Sequence, residues 1–247
     1  NYMLKNYETA IDDYTKIIVI DPNYASVYNN RGYSNSTLKN YDDAIEDFTK
    51  AIKIDPNSAL AYRNRGLSYH RLKNYEDAID DYTKAIEIDP KYLDAYHNRG
   101  YSNYMLKNYE TAIDDYTKII EIDPNYASAY NNRGYSNSTL KNYETAIDDY
   151  TKAIEIDPNY AKAYNNRGRS NYMLKNYETA IDDYTKAIEL NPNYALAYHN
   201  RGNSNYRLEN YRNALEDFDK AIEINPEYED AINMSNSISA ILKNKVS

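Results

Sequence analysis

The chain has 247 residues, with 32 Tyr against 2 Phe, no Trp and no Cys, and a formal net charge of −9 at pH 7. Without cysteine there are no disulfides, thiolate metal sites or thiol nucleophiles, and no segment approaches the roughly 18 apolar residues of a membrane span. A pI near 4.9 argues against a nucleic-acid binder, which needs a basic footprint, and a mean hydropathy of −0.92 is low for one large core.

All seven prolines lie 34 residues apart, from Pro22 to Pro226, and all six glycines keep the same interval, from Gly32 to Gly202. A fixed period of this length indicates a stacked array. Counted from seven residues before each Gly, the chain divides without remainder. Residues 1–24 form a partial unit, expected to hold the end of a first helix and a second helix. Six complete repeats follow, at 25–58, 59–92, 93–126, 127–160, 161–194 and 195–228, and then a tail, 229–247. The start at Asn1, without an initiator Met and in mid-helix, reads as a fragment with missing upstream repeats or a packing partner there.

Each repeat reads as a pair of helices. In 93–126, Ala95, Tyr96, Gly100 and Asn103 share one helical face, and Tyr109, Ala112, Ile113, Tyr116, Ile119 and Ile120 share another. Lys107-Asn108 marks the turn between them. Asp123-Pro124 ends the second helix, because the residue before Pro is pushed out of the α region. Gly inside a helix costs about 1 kcal/mol against Ala, so six in register indicate close helix–helix contact. The tail repeats the first-helix frame with Ile232 at the aromatic position, Asn236 in place of Gly, and a polar face suited to a capping helix. The count expected is close to 15 helices. Residues 1–41 match 103–143 except at Val19/Glu121 and Val27/Ala129, the mark of a three-repeat duplication.

Tyr96, Gly100, Ala112, Tyr116, Ile119 and Pro124, with their copies, resemble the tetratricopeptide repeat family over the whole chain. The resemblance implies an all-α, right-handed α-solenoid superhelix of antiparallel helix pairs. Tyr replaces the family's usual Trp, Arg replaces the usual Leu before each Gly, and Asn mostly replaces the Tyr three residues after it. Two roles fit the arginines, from Arg31 to Arg201. They could clip to the Asp before each inner aromatic, as Arg133 to Asp149, or form a row of guanidiniums reaching ligand.

The resemblance also implies that first helices line a concave groove. In the six repeats the first-helix segments carry eleven Lys/Arg against Asp94 alone, while the remaining positions carry 14 Lys/Arg against 31 acids. Positions 5 and 6 of each repeat are expected to face that groove: Asn29-Asn30, Arg63-Asn64, His97-Asn98, Asn131-Asn132, Asn165-Asn166 and His199-Asn200. Amides of this kind pair with peptide backbone of any sequence. Tyr33, Tyr101, Tyr135, Arg169 and Asn203 at position 9, Tyr104, Tyr172 and Tyr206 at position 12, and Lys162 at position 2 complete the expected peptide-binding face. Some family members clamp the C-terminal carboxylate of a chaperone tail. Here Lys162 alone fits that pattern in place and kind among its charged positions, with no Lys at position 5 and no Arg at position 6.

No catalytic, metal or cofactor site is expected. His70, His97 and His199 lie in different repeats, and every Gly belongs to the repeat, leaving no phosphate loop or nucleophile elbow. The function expected is therefore a non-enzymatic, cytoplasmic scaffold that holds a neutral to acidic peptide or protein segment. The alternative is a self-assembling structural protein, joined through array ends or groove-to-convex contacts. Neither nucleic acid nor a membrane is an expected partner.

Overall fold

The computed structural model describes residues 2–244, and of these the side chains from Asn6 to Lys243. Asn1 and residues 245–247, the extreme ends of the expected partial unit and cap, lie outside the described residues. Fourteen helices and no strand occur among them: α1 (Tyr2–Ile20), α2 (Ala25–Thr37), α3 (Tyr41–Ile54), α4 (Ala59–Arg71), α5 (Tyr75–Ile88), α6 (Leu93–Met105), α7 (Tyr109–Ile122), α8 (Ala127–Thr139), α9 (Tyr143–Ile156), α10 (Ala161–Met173), α11 (Tyr177–Leu190), α12 (Ala195–Arg207), α13 (Tyr211–Ile224) and α14 (Glu229–Asn244). They form two compact units, one ending at Pro124 and one beginning at Asn125. Each unit is an α-solenoid of helix pairs in which every helix packs on the next. No described helix is long and apolar enough to cross a membrane.

The count of 14 is close to the 15 expected, and α1 runs unbroken through Lys5-Asn6, where the copy at Lys107-Asn108 turns. The tail supplies one helix, α14, with Ala231 and Ile238 fully buried.

The turn inside each complete repeat is a Schellman closure. Around Lys39, Asn40 N donates to Asn35 O at 2.9 Å and Lys39 N to Ser36 O at 3.0 Å. The residue in the left-handed region is Lys39, Lys73, Lys107, Lys141, Lys175 or Glu209, and never Gly. Second helices stop one residue before each Asp-Pro or Asn-Pro. That Asp or Asn is extended, and at Asp55 its Oδ1 accepts from the Asn57 N–H at 3.1 Å.

The core is built from small residues around one ring per repeat. Ala44, Ala78, Ala112, Ala146, Ala180 and Ala214 are fully buried, and so, to within 2%, are Phe48, Tyr82, Tyr116, Tyr150, Tyr184 and Phe218. This explains the low hydropathy, since each repeat fully buries alanines and one aromatic, with Tyr28, Tyr96 and Tyr130 adding a second, less deeply buried ring in their repeats. Each Gly admits that ring. A Cβ on Gly134 would lie 2.9 Å from Tyr150 Cε1 and 3.2 Å from Ala146 O. The contact is between the two helices of one repeat.

Candidate functional site

Every pre-Gly arginine is tied down inside the fold. Nη2 of Arg31, Arg65, Arg99, Arg133, Arg167 and Arg201 donates to Asp47, Asp81, Asp115, Asp149, Asp183 and Asp217 at 2.6–2.7 Å. Nε donates to the same carboxylate in each case, the bidentate geometry that a guanidinium suits best. Nη1 of Arg65 and Arg99 reaches Thr49 and Thr83 of the preceding repeat at 3.0 Å, and Nη1 of Arg201 reaches Thr185. Asn35, Asn171 and Asn205 add an amide donor to their Asp at 3.2–3.3 Å. Each guanidinium also lies over a tyrosine ring of its own helix, as Arg133 does over Tyr130. Of the two roles open to these arginines, the structure selects the clip. Burial pushes the Asp81, Asp115, Asp149, Asp183 and Asp217 carboxyls above the usual range, against the arginine beside each.

With those six engaged, the first helices carry five other cations. Arg63 pairs with Asp94 at 3.2 Å. Arg71, Lys162, Arg169 and Arg207 are exposed and outside any ion pair among the described residues, with Arg207 Nε donating to Tyr172 Oη. Tyr33 and Tyr101 expose 53% and 46% of their surface, and Tyr135 is also exposed. Tyr104, Tyr172 and Tyr206 are half-buried, each packed on the first tyrosine of the following helix at 5.1–5.7 Å between centroids.

Positions 5 and 6 behave differently from a uniform amide ladder. Position 5 turns into the seam between successive first helices, where Asn131 and Asn165 are buried and Asn29 half-buried. There its Oδ1 accepts from position 6 of the next repeat. Asn64 Nδ2 reaches Asn29 at 3.2 Å, Asn166 reaches Asn131 at 3.0 Å, and Asn200 reaches Asn165 at 3.1 Å. Asn30 is exposed, and Asn98 and Asn132 are half-buried. His97 and His199, also at position 5, are half-buried on Tyr116 and Phe218. His70 stacks on Tyr75 and Tyr101. Burial lowers the pKa of all three imidazoles, so the fold holds them neutral. Asn203 Nδ2 rests 3.4 Å from the His199 ring.

Sequence reasoning missed the Thr partners of the arginines and the cavity beside Arg71. The signal for the first was available, because Thr49, Thr83 and Thr185 each lie 16 residues before an arginine. The second needs the seam geometry.

The tetratricopeptide repeat family model matches residues 25–58, 59–92, 93–126, 127–160, 161–194 and 195–228. Among solved structures the chain is similar to MamA, at 28% identity over 64% of this chain and 93% of that one, with a TM-score of 0.61. It is similar to YrrB, described as a TPR protein with an unusual peptide-binding site, at 25% identity over 75% and 96% of the two chains, with a TM-score of 0.63. The C-terminal part of a TPR repeat-containing protein from Cytophaga hutchinsonii, 22% identical, shares the fold over 94% of this chain and 96% of its own, with a TM-score of 0.74. No curated protein matches the chain.

Proposed function

The chain belongs to the tetratricopeptide repeat family, and from that premise we propose that it is a non-enzymatic scaffold binding an extended, neutral to acidic segment of a partner protein along its first helices. One observation carries this reading. In an acidic protein, the exposed Arg71, Lys162, Arg169 and Arg207 stand on the first helices α4, α10 and α12, and the exposed Tyr33, Tyr101 and Tyr135 on the first helices α2, α6 and α8, while acids crowd the second helices. Tyrosine offers stiff contact area with a polar tip, a composition favoured at interfaces. The first helices of successive repeats also touch within each unit, as α2 with α4 and α8 with α10, which aligns these side chains along the first helices of each unit separately. The peptide-binding site in the description of YrrB agrees with such a use of the fold.

The amides contribute selectively. Asn64, Asn166 and Asn200 each keep one N–H beyond the bond they make in the seam, so the tyrosines and free cations carry most of the contact. The test is an array of unstructured peptides graded from basic to acidic, probed with the intact chain. Selection of neutral to acidic peptides, weakening with salt and about tenfold weaker in a folded Tyr33→Ala, Tyr101→Ala double variant, supports the reading. Binding unchanged in that variant moves the contact off the first helices. Native mass showing stable oligomers without peptide favours self-assembly instead.

A further inference from the structure

The seam between α4 and α6 departs from the others. Arg63 occupies the position from which Asn29, Asn131 and Asn165 each offer an Oδ1 to the next repeat. A donor therefore stands where an acceptor is needed. Asn98 Nδ2 and Arg63 Nε are both buried without a hydrogen-bond partner, and so is Tyr82 Oη. Buried polar groups are ordinarily satisfied, and each exception asks for a cause. A cavity of about 100 Å³ opens beside two of them, lined by His70, Arg71, Tyr82, Asn98, Tyr101 and a leucine. No acid lines it. The neighbouring Asp94 is engaged by Arg63. The charges of Arg63 and Arg71 both bear on the Tyr82 hydroxyl.

We propose that this cavity is a subsite for a side-chain carboxylate, a Glu or Asp of the bound segment; the proposal rests on the peptide-scaffold reading above. Asn98 Nδ2 and Tyr82 Oη donate to the carboxylate oxygens, and Arg71 supplies the opposite charge at the mouth. The rings of His70 and Tyr101 wall the methylenes. The volume has room for more than one water and admits a side-chain carboxylate. The subsite is particular to this seam, because Asn166 and Asn200 already have acceptors and Thr139 and Met173 stand where α4 carries Arg71. It would fix the register of an otherwise loosely specified segment by anchoring one acid.

The test follows the side-chain amide resonance of Asn98 in the ¹⁵N-labelled intact chain. Three probes are used: acetyl-Ser-Glu-Ser-amide, acetyl-Ser-Gln-Ser-amide, and acetyl-Ser-Ser-Ser with a free C-terminal carboxylate. The Glu probe is expected to shift Asn98 saturably at millimolar concentration, with the other two about tenfold weaker or more. Two variants should each weaken the Glu probe by about tenfold. Arg63→Asn gives Asn98 the acceptor found in the other seams. Tyr82→Phe removes the hydroxyl and keeps the ring, as Phe48 and Phe218 do in their repeats. No saturable shift with the Glu probe, or an equal shift with the Gln probe, would overturn the subsite and leave the cavity to water. A stronger response to the free terminus would overturn the side-chain assignment. Failure here with peptide-array binding intact removes this subsite alone, whereas failure of both removes the scaffold reading.

Discussion

Two seams between first helices are built on the same repeat frame and differ in how their polar groups pair, most sharply at position 5. Between α8 and α10, Asn131 accepts from Asn166 at 3.0 Å and itself donates to Asn132 at 3.2 Å. Between α4 and α6, Arg63 replaces the acceptor, and Arg63 Nε, Asn98 Nδ2 and Tyr82 Oη are left buried and unpartnered. The helices on either side hold the same bidentate clip, Arg65 to Asp81 in one and Arg133 to Asp149 in the other. The comparison separates two tasks within a repeat. The clip, the Gly and the inner ring hold the pair of helices together and barely vary. Position 5 is free to vary, and its identity decides whether polar groups in the seam are engaged or available.

The largest expected effect falls on the shared part. Asp81→Ala and Asp149→Ala each leave a half-buried guanidinium without its carboxylate, and each should cost about 3 kcal/mol. Because repeat arrays open locally, the loss is read by native-state amide exchange of the helices concerned. Similar losses at the two sites support a common clip. A loss at one site only would show that the clip does not carry the same task in the two repeats.

Gly66→Leu and Gly134→Leu come next, at about 2 kcal/mol each, because a Cβ already meets the Tyr82 or Tyr150 ring at 2.9 Å. Lys152→Ala is the control, since its pair with Glu155 is exposed on both sides and should be worth almost nothing in the same denaturation curves. Equal effects from Gly134→Leu and Lys152→Ala would remove the close-contact account.

Arg63→Asn sharpens the comparison by a change in the opposite direction. It supplies Asn98 with an acceptor and forfeits a part-exposed pair with Asp94 and the bond from Arg63 Nη1 to Asn64 Oδ1. A gain of about 1 kcal/mol is expected in the exchange-derived stability of α4 and α6, with no change in α8 and α10.

The smallest effect is on pH. α4 and α6 carry His70 and His97, whereas α8 and α10 carry no His. Burial lowers both imidazole pKa values below 6.5 in the fold. The unfolded chain then binds protons that the folded chain does not, so stability is full above 6.5 and falls as pH drops below it. Exchange protection of α4 and α6 should decline between pH 7.5 and 5.5 more than that of α8 and α10. Equal decline would mean that the imidazoles protonate freely in the fold.

Much of this was legible in the sequence, for identifiable reasons. Gly134 and Pro158 recur in phase, so helix pairing and helix ends follow from a single period. Arg133 and Asp149 were readable as partners because both recur with Gly and the inner ring at fixed offsets, and they meet at 2.7 Å. Lys107 in the left-handed region gave no signal, since that conformation is ordinarily announced by Gly. The bond from Asn166 to Asn131 was equally hidden. An Asn ladder reads the same whether its amides face solvent or each other, and only the seam geometry distinguishes the two. The Arg63 substitution was visible as a charge and silent as a missing acceptor.

The most direct test of the claim that position 5 governs the seam is to make the α8–α10 seam resemble the other. In Asn131→Arg, verified as folded by circular dichroism, the Asn166 side-chain amide should lose its acceptor, and its proton resonance should move upfield toward that of Asn98 in the unaltered chain. An Asn166 resonance that stays in place in the folded variant would contradict the account.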